Sequence, residues 1–130
     1  MKSKLKHIEI NIPVFKSHLH YVFNCDCKEL TKYCHRKFDT DEDFELLKDS
    51  NGAMLTLRSK DAVKRIVWLK KFDLSHENLG VLVHETTHAV IRILEWKGIP
   101  YSAENNQDET FAYLMDYLIS NFIYRYKKMK

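Results

Sequence analysis

The sequence predicts an α+β fold, in which a short, mostly antiparallel sheet from the first half of the chain packs on two long helices from the second. Up to Phe72, apart from residues 26–38, the apolar residues alternate or run in short blocks bounded by turn residues, the pattern of strands. Beyond Ser75 they recur at three- and four-residue spacing over two long stretches, and Gly98 with Pro100 divides those stretches into two helices. With 130 residues, 45% of them hydrophobic, and only three Gly and two Pro, one domain spanning residues 1–130 can bury a core without disulfides.

From His7 to Ile12 the residues Ile8, Ile10 and Ile12 alternate with polar ones, a half-buried strand. Pro13 and Lys16-Ser17-His18 break it, and Leu19, Tyr21 and Phe23 mark a second strand. Leu30, Tyr33, Cys34 and Phe38 then recur at helical spacing, so residues 26–38 read as an amphipathic surface helix. Residues 43–48 fit a short strand or a loop, and Asn51-Gly52 suits a tight hairpin turn. Residues 53–58 and 63–72 are the next strands, the second covered on both faces because Ile66-Val67-Trp68-Leu69 is continuously apolar.

Asp73 or Ser75 caps a helix over residues 76–97 that ends at Gly98. At about 100° per residue, Leu79, Leu82, Val83, Ala89, Val90, Ile93, Leu94 and Trp96 form a wide apolar arc. His84, Glu85, His88, Arg92 and Glu95 share the opposite strip with Val81. After a polar loop, a last helix over residues 107–125 buries Phe111, Leu114, Met115, Leu118, Ile119 and Phe122, with Glu109, Ala112, Tyr113 and Asp116 on its other side.

A net charge of +3, with the excess cations at the two ends, is weak for a nucleic-acid binder, and solvated tails account for it. No stretch approaches the roughly 20 apolar residues of a membrane span, and the basic start lacks the apolar run of an export signal. A cytoplasmic protein is the expectation. Cys25, Cys27 and Cys34 are then reduced thiols, odd in number and too closely set in Cys25-Asp26-Cys27 for a zinc knuckle.

The chemistry centres on His84-Glu85-Thr86-Thr87-His88, an HExxH motif. One helical turn places both imidazoles on one face, where they can hold one zinc ion, and leaves Glu85 beside them as a general base. A catalytic zinc site needs a third protein ligand, and Glu109 on the last helix is the choice, with Glu104 in the preceding loop as the alternative. Glu109 also sits where Asn106-Gln107-Asp108-Glu109 would form a helix-start capping box. Tyr101, Tyr113, Tyr117 and Arg92 are available to stabilise an oxyanion, and Asp116 and Glu95 to orient a histidine.

His84-Glu85-Thr86-Thr87-His88 followed by Glu109-Thr110-Phe111-Ala112 resembles the gluzincin branch of the zincin metallopeptidases. The resemblance covers about residues 73–125 and implies a zincin-like fold, zinc on His84, His88 and Glu109, Glu85 as base, and a peptide or protein substrate lying along a sheet edge, either residues 53–58 or 63–72. The layout is also similar to small HExxH proteins encoded by phages. Tyr113 stands where one version of the gluzincin motif has an aspartate, and the chain has no room for a separate C-terminal subdomain. The rival expectation is a non-catalytic zinc-binding interaction module on the same fold.

Overall fold

The alternating segments become four strands in the computed structural model, which describes residues 4–58, 62–99 and 107–129. They are β1 (Lys6–Ile12), β2 (Ser17–Phe23), β3 (Gly52–Arg58) and β4 (Val63–Leu69). The helices are α1 (Cys27–Phe38), α2 (His76–Trp96) and α3 (Gln107–Lys128), so the fold is α+β with a four-stranded sheet. The strand order is β1-β2-β4-β3. Two antiparallel hairpins, β1/β2 and β3/β4, meet through a parallel β2–β4 pair, and the sheet is therefore mixed.

This order makes β2 and β4 the inner strands, covered on both faces. Leu19, Tyr21, Phe23, Val67 and Leu69 face α2 and α3, whereas Val22, Ile66 and Trp68 pack with Leu30 and Cys34 of α1. The continuous apolar run of β4 had the expected consequence. The inner position of β2 was hidden in the sequence by His18 and His20.

Both outer helices start where their caps dictate. Asp26 accepts from Glu29 N–H at 2.8 Å, and Glu29 returns the bond to the Asp26 N–H at 3.1 Å, a complete capping box. Ser75 caps α2, and hydrogen bonding from the Ser75 side chain first, then from the Ser75 N–H and the Asn78 amide, holds the Asp73 carboxyl down at about 2. At the other end Gly98 takes φ +72°, while the Ile99 N–H reaches the Leu94 carbonyl and the Gly98 N–H the Glu95 carbonyl, the Schellman pattern.

Three local expectations are corrected and one ambiguity is resolved. β4 stops at Leu69 rather than Phe72, because the Phe72 N–H leaves the sheet to bond the Asn24 side chain at 2.8 Å. Residues 43–48 form no strand: they take the loop alternative, with a 3-10 turn at Glu45–Leu47. Asn51-Gly52 is not a hairpin turn: the element immediately before it is the 3-10 turn rather than a strand, and Gly52 lacks a positive φ. Val83 and Trp96, assigned to the apolar arc of α2, are 44% and 57% exposed; Trp96 lies at the margin of that arc, next to Glu85.

The sheet edges differ. The Glu9 carbonyl of β1 accepts from the Arg125 guanidinium and the Asn11 carbonyl from the Tyr117 hydroxyl, so α3 closes the β1 edge. Among the described residues, no side chain bonds the outer edge of β3 in this way. No helix among them is long and apolar enough to cross a membrane.

Two predictions test this packing. The three thiols are buried, and burial pushes Cys25 and Cys34 up to about 12. A thiol-specific chromogenic reagent at mildly alkaline pH should therefore leave the native protein nearly unlabelled and react with all three thiols in denaturant. His20 is also buried, bonded through Nδ1 to His7 at 2.9 Å, and desolvation with the nearby His7 holds it at about 4 instead of 6.5. The unfolded chain binds this proton first, so the contribution is complete above about 6.5 and is lost as pH falls toward about 4, a change on the order of 3 kcal/mol. Urea unfolding across that window should show the slope, and His20→Leu should flatten it.

Candidate functional site

The histidine helix is held at a fixed rotation from beneath. Thr86, in the middle of the HExxH motif, is completely buried, and its hydroxyl pairs with the Tyr21 hydroxyl at 2.9 Å. Burial pushes the Tyr21 pKa well above its ordinary value, so this is a bond between two neutral hydroxyls. With Thr86 facing the sheet, His84 and His88, each two positions away and hence about 200° round the helix, must face outward.

The two imidazoles converge there. His84 Nε2 and His88 Nε2 are 3.3 Å apart, with the rings at 80° to one another. Two nitrogens each about 2.0–2.1 Å from one tetrahedral ion would lie about 3.3–3.4 Å apart, so the pair fits zinc as it stands. Glu85 Oε2 is 3.9 Å from His84 Nε2, yet the Glu85 side chain is only 12% exposed against 68% for His84. A shielded carboxylate beside two open imidazoles is the disposition a general base needs.

Gly52 lies close against this part of α2. A Cβ on Gly52 would lie 2.7 Å from Val81 Cγ1, 3.0 Å from the Trp68 carbonyl and 3.4 Å from Glu85 Cγ. The start of β3 thus touches α2 beside the Glu85 side chain, and only a residue without a side chain permits the approach. The sequence offered Asn51-Gly52 as a turn signal; its role is steric.

Of the two strands proposed to receive a substrate, β4 is interior and β3 is the edge. β3 runs beside α2 in the same sense: Gly52 adjoins Val81 and Glu85, and Thr56 and Arg58 share a groove with Arg92 and Trp96.

Glu109 stands elsewhere. The Thr87 hydroxyl lies 3.9 Å from Met115 Sδ, which marks the side of α3 that faces α2. Glu109 is six positions earlier, about 120° round the helix and about 9 Å along it. It is exposed and lines a groove with Ile12, Pro13, Val14 and Tyr113, opposite the β1 turn. The structure therefore brings together His84, Glu85 and His88 but not Glu109, and no group of three His, Cys, Asp or Glu side chains able to hold a metal forms among the described residues. Glu104, Tyr101 and the Asn106 cap lie outside those residues.

The other candidates are also placed. Tyr117 spends its hydroxyl on Asn11, Tyr113 opens on the Glu109 groove, and Asp116 accepts from Ser120 at 3.0 Å. Glu95, about two turns beyond His88 on the same strip, lies 3.6 Å from Arg92.

The Gly52 contact can be tested directly. Gly52→Val should destabilise the protein by about 1–3 kcal/mol, through overpacking against a backbone carbonyl that cannot yield. Urea denaturation measures it, and Gly80→Val, whose Cβ would meet nothing within 4 Å, should lack that overpacking cost.

A scan against protein-family models and searches of the curated proteins and of the solved structures return no match for the chain.

Proposed function

We propose that the protein is a zinc-dependent peptidase acting on a peptide or protein within the cell, with a zincin-like arrangement of α2 beside the edge strand β3. The observation that carries this reading is the 3.3 Å separation of His84 Nε2 and His88 Nε2, with the Glu85 carboxylate shielded next to them. His84 and His88 would hold the metal, with Glu109 or Glu104 completing the set. When bound, zinc supplies Lewis-acid activation of water and of the scissile carbonyl. Glu85 takes the proton of the attacking water on its carboxylate and delivers it to the leaving amine, so that the residue ends the cycle ionised as it began. Arg92, one turn beyond His88, is the nearest described cation on the same strip and would steady negative charge on the substrate.

The likeness to the gluzincins rests on the motif, the downstream Glu109-Thr110-Phe111-Ala112 and the helix-beside-edge-strand layout. In that layout a substrate adds to β3 as a further strand, main chain to main chain.

Metal analysis and peptide cleavage on the same preparations test the reading. Wild type should carry close to one zinc per chain and His84→Ala almost none. Glu85→Gln should keep the metal and lose cleavage by about 100- to 10,000-fold. Glu109→Ala and Glu104→Ala identify the third ligand by loss of zinc. Full zinc content in wild type without hydrolysis of a broad peptide library would make the protein a non-catalytic zinc-binding interaction module instead.

A further inference from the structure

Past His88, the seam between α2 and β3 ends in a groove of about 440 Å³ lined by Thr56, Arg58, Arg65, Arg92, Glu95 and Trp96. Three guanidinium groups there meet a single carboxylate, Glu95, which lies 3.6 Å from Arg92. Arg65 is the unusual member. Paired in register with Leu19 on β2 and Thr56 on β3, it occupies an inward position of an inner strand and is only 7% exposed. Trp96 lies over its guanidinium, with Cζ 5.5 Å from the ring centroid. Its buried Nε–H has no hydrogen-bond partner among the described residues. Burial and the neighbouring charge of Arg58 both lower its pKa, the sign of a cation held where it lacks a counter-charge.

We propose that this groove is a carboxylate-binding subsite, with Arg65 as the buried anchor and Arg58 and Arg92 as its exposed flanks. A planar guanidinium on an aromatic face, presenting unused donors, matches the two coplanar oxygens of a carboxylate. The seam is polarised accordingly: Glu77 and Glu85 lie at the Gly52 end and the arginines at the Arg58 end. From His88 to Arg92 and Trp96 is about 6–12 Å along α2, and an extended peptide advances about 3.4 Å per residue. A peptide on β3 would place its carboxylate about two to four residues from the histidines. That carboxylate is either the free C-terminus or an acidic side chain. The subsite stands on its own residues; its use in substrate selection rests on the peptidase reading.

Titration of the full-length, isotope-labelled protein, followed through the Arg65 Nε–Hε resonance, tests it. The probes are N-acetyl-diglycine, which has only a terminal carboxylate, N-acetyl-glutamic acid 1-amide, which has only a side-chain carboxylate, N-acetyl-diglycinamide, which has neither, and inorganic phosphate. A saturable shift with one or both carboxylates and none with the diglycinamide is expected, the tighter carboxylate naming the source. Arg92→Gln and Arg58→Gln, at exposed positions, should each weaken binding by several-fold, and Arg65→Met should abolish it; where Arg65→Met fails to fold, the two exposed variants decide. No saturable shift with either carboxylate, an equal shift with the diglycinamide, or tighter binding of phosphate than of both carboxylates would overturn the proposal. Carboxylate binding by a protein that cleaves no peptide retains the subsite and removes the peptidase, whereas cleavage without any carboxylate response does the reverse.

Discussion

The hydrogen bond between Tyr21 and Thr86 sets the rotation of α2, and every functional statement about the protein depends on that rotation. A helix packed only by Leu82, Val90, Ile93 and Leu94 could turn by some tens of degrees at little cost, because aliphatic contacts are not directional. A buried hydroxyl pair is different, since rotating Thr86 away would strand two polar groups without water. Tyr21 is itself immobilised on an inner strand with its ring 4.6 Å from Phe122. The sheet thereby fixes where His84, Glu85 and His88 point, although none of the three contributes to the main core cluster.

The two outer strands meet their neighbouring helices differently. α3 closes the β1 edge with bonds to Glu9 and Asn11, and α2 reaches β3 so closely at Gly52 that no side chain fits between them. One edge is consequently sealed while the other runs past the imidazole pair, from carboxylates at its beginning to guanidinium groups at its end. Strand edges left open invite pairing with another chain, and an open edge alongside a polar helical strip directs that pairing to one place.

Much of this was legible in the residues. Period-two alternation located the strands, and a change to helical spacing after Ser75 located α2 and α3. The motif carried its own geometry, because one helical turn brings two imidazoles together whatever the surrounding fold. What the sequence concealed was pairwise and non-local. Nothing in Tyr21 or Thr86 marks them as partners across 65 positions, and Gly52 reads as a turn residue until Val81 and Trp68 are placed around it. Arg65 did leave a trace: in Val63-Lys64-Arg65-Ile66-Val67 it occupies the same face as Val63 and Val67, an inward position that ordinarily takes an apolar residue. A charged residue at such a position needs either a partner or a ligand.

Glu109 shows what spacing alone cannot supply. Twenty residues between His88 and Glu109 suffice to return the chain antiparallel, and α3 does return, with Met115 against Thr87 and the Tyr126 hydroxyl at 3.5 Å from the Phe72 carbonyl. Helical phase is a separate requirement, and Glu109 misses the α2-facing side of α3 by about a third of a turn. For it to complete the proposed zinc site, the first turn of α3 would have to rotate about its axis, a change confined to residues that make few buried contacts. Structural zinc binding is worth about 10–16 kcal/mol in zinc-finger peptides that fold only on the metal, far more than rearranging one helical turn costs. Metal binding and the rotation of that turn would then be a single event, starting from two histidines already at ligand spacing.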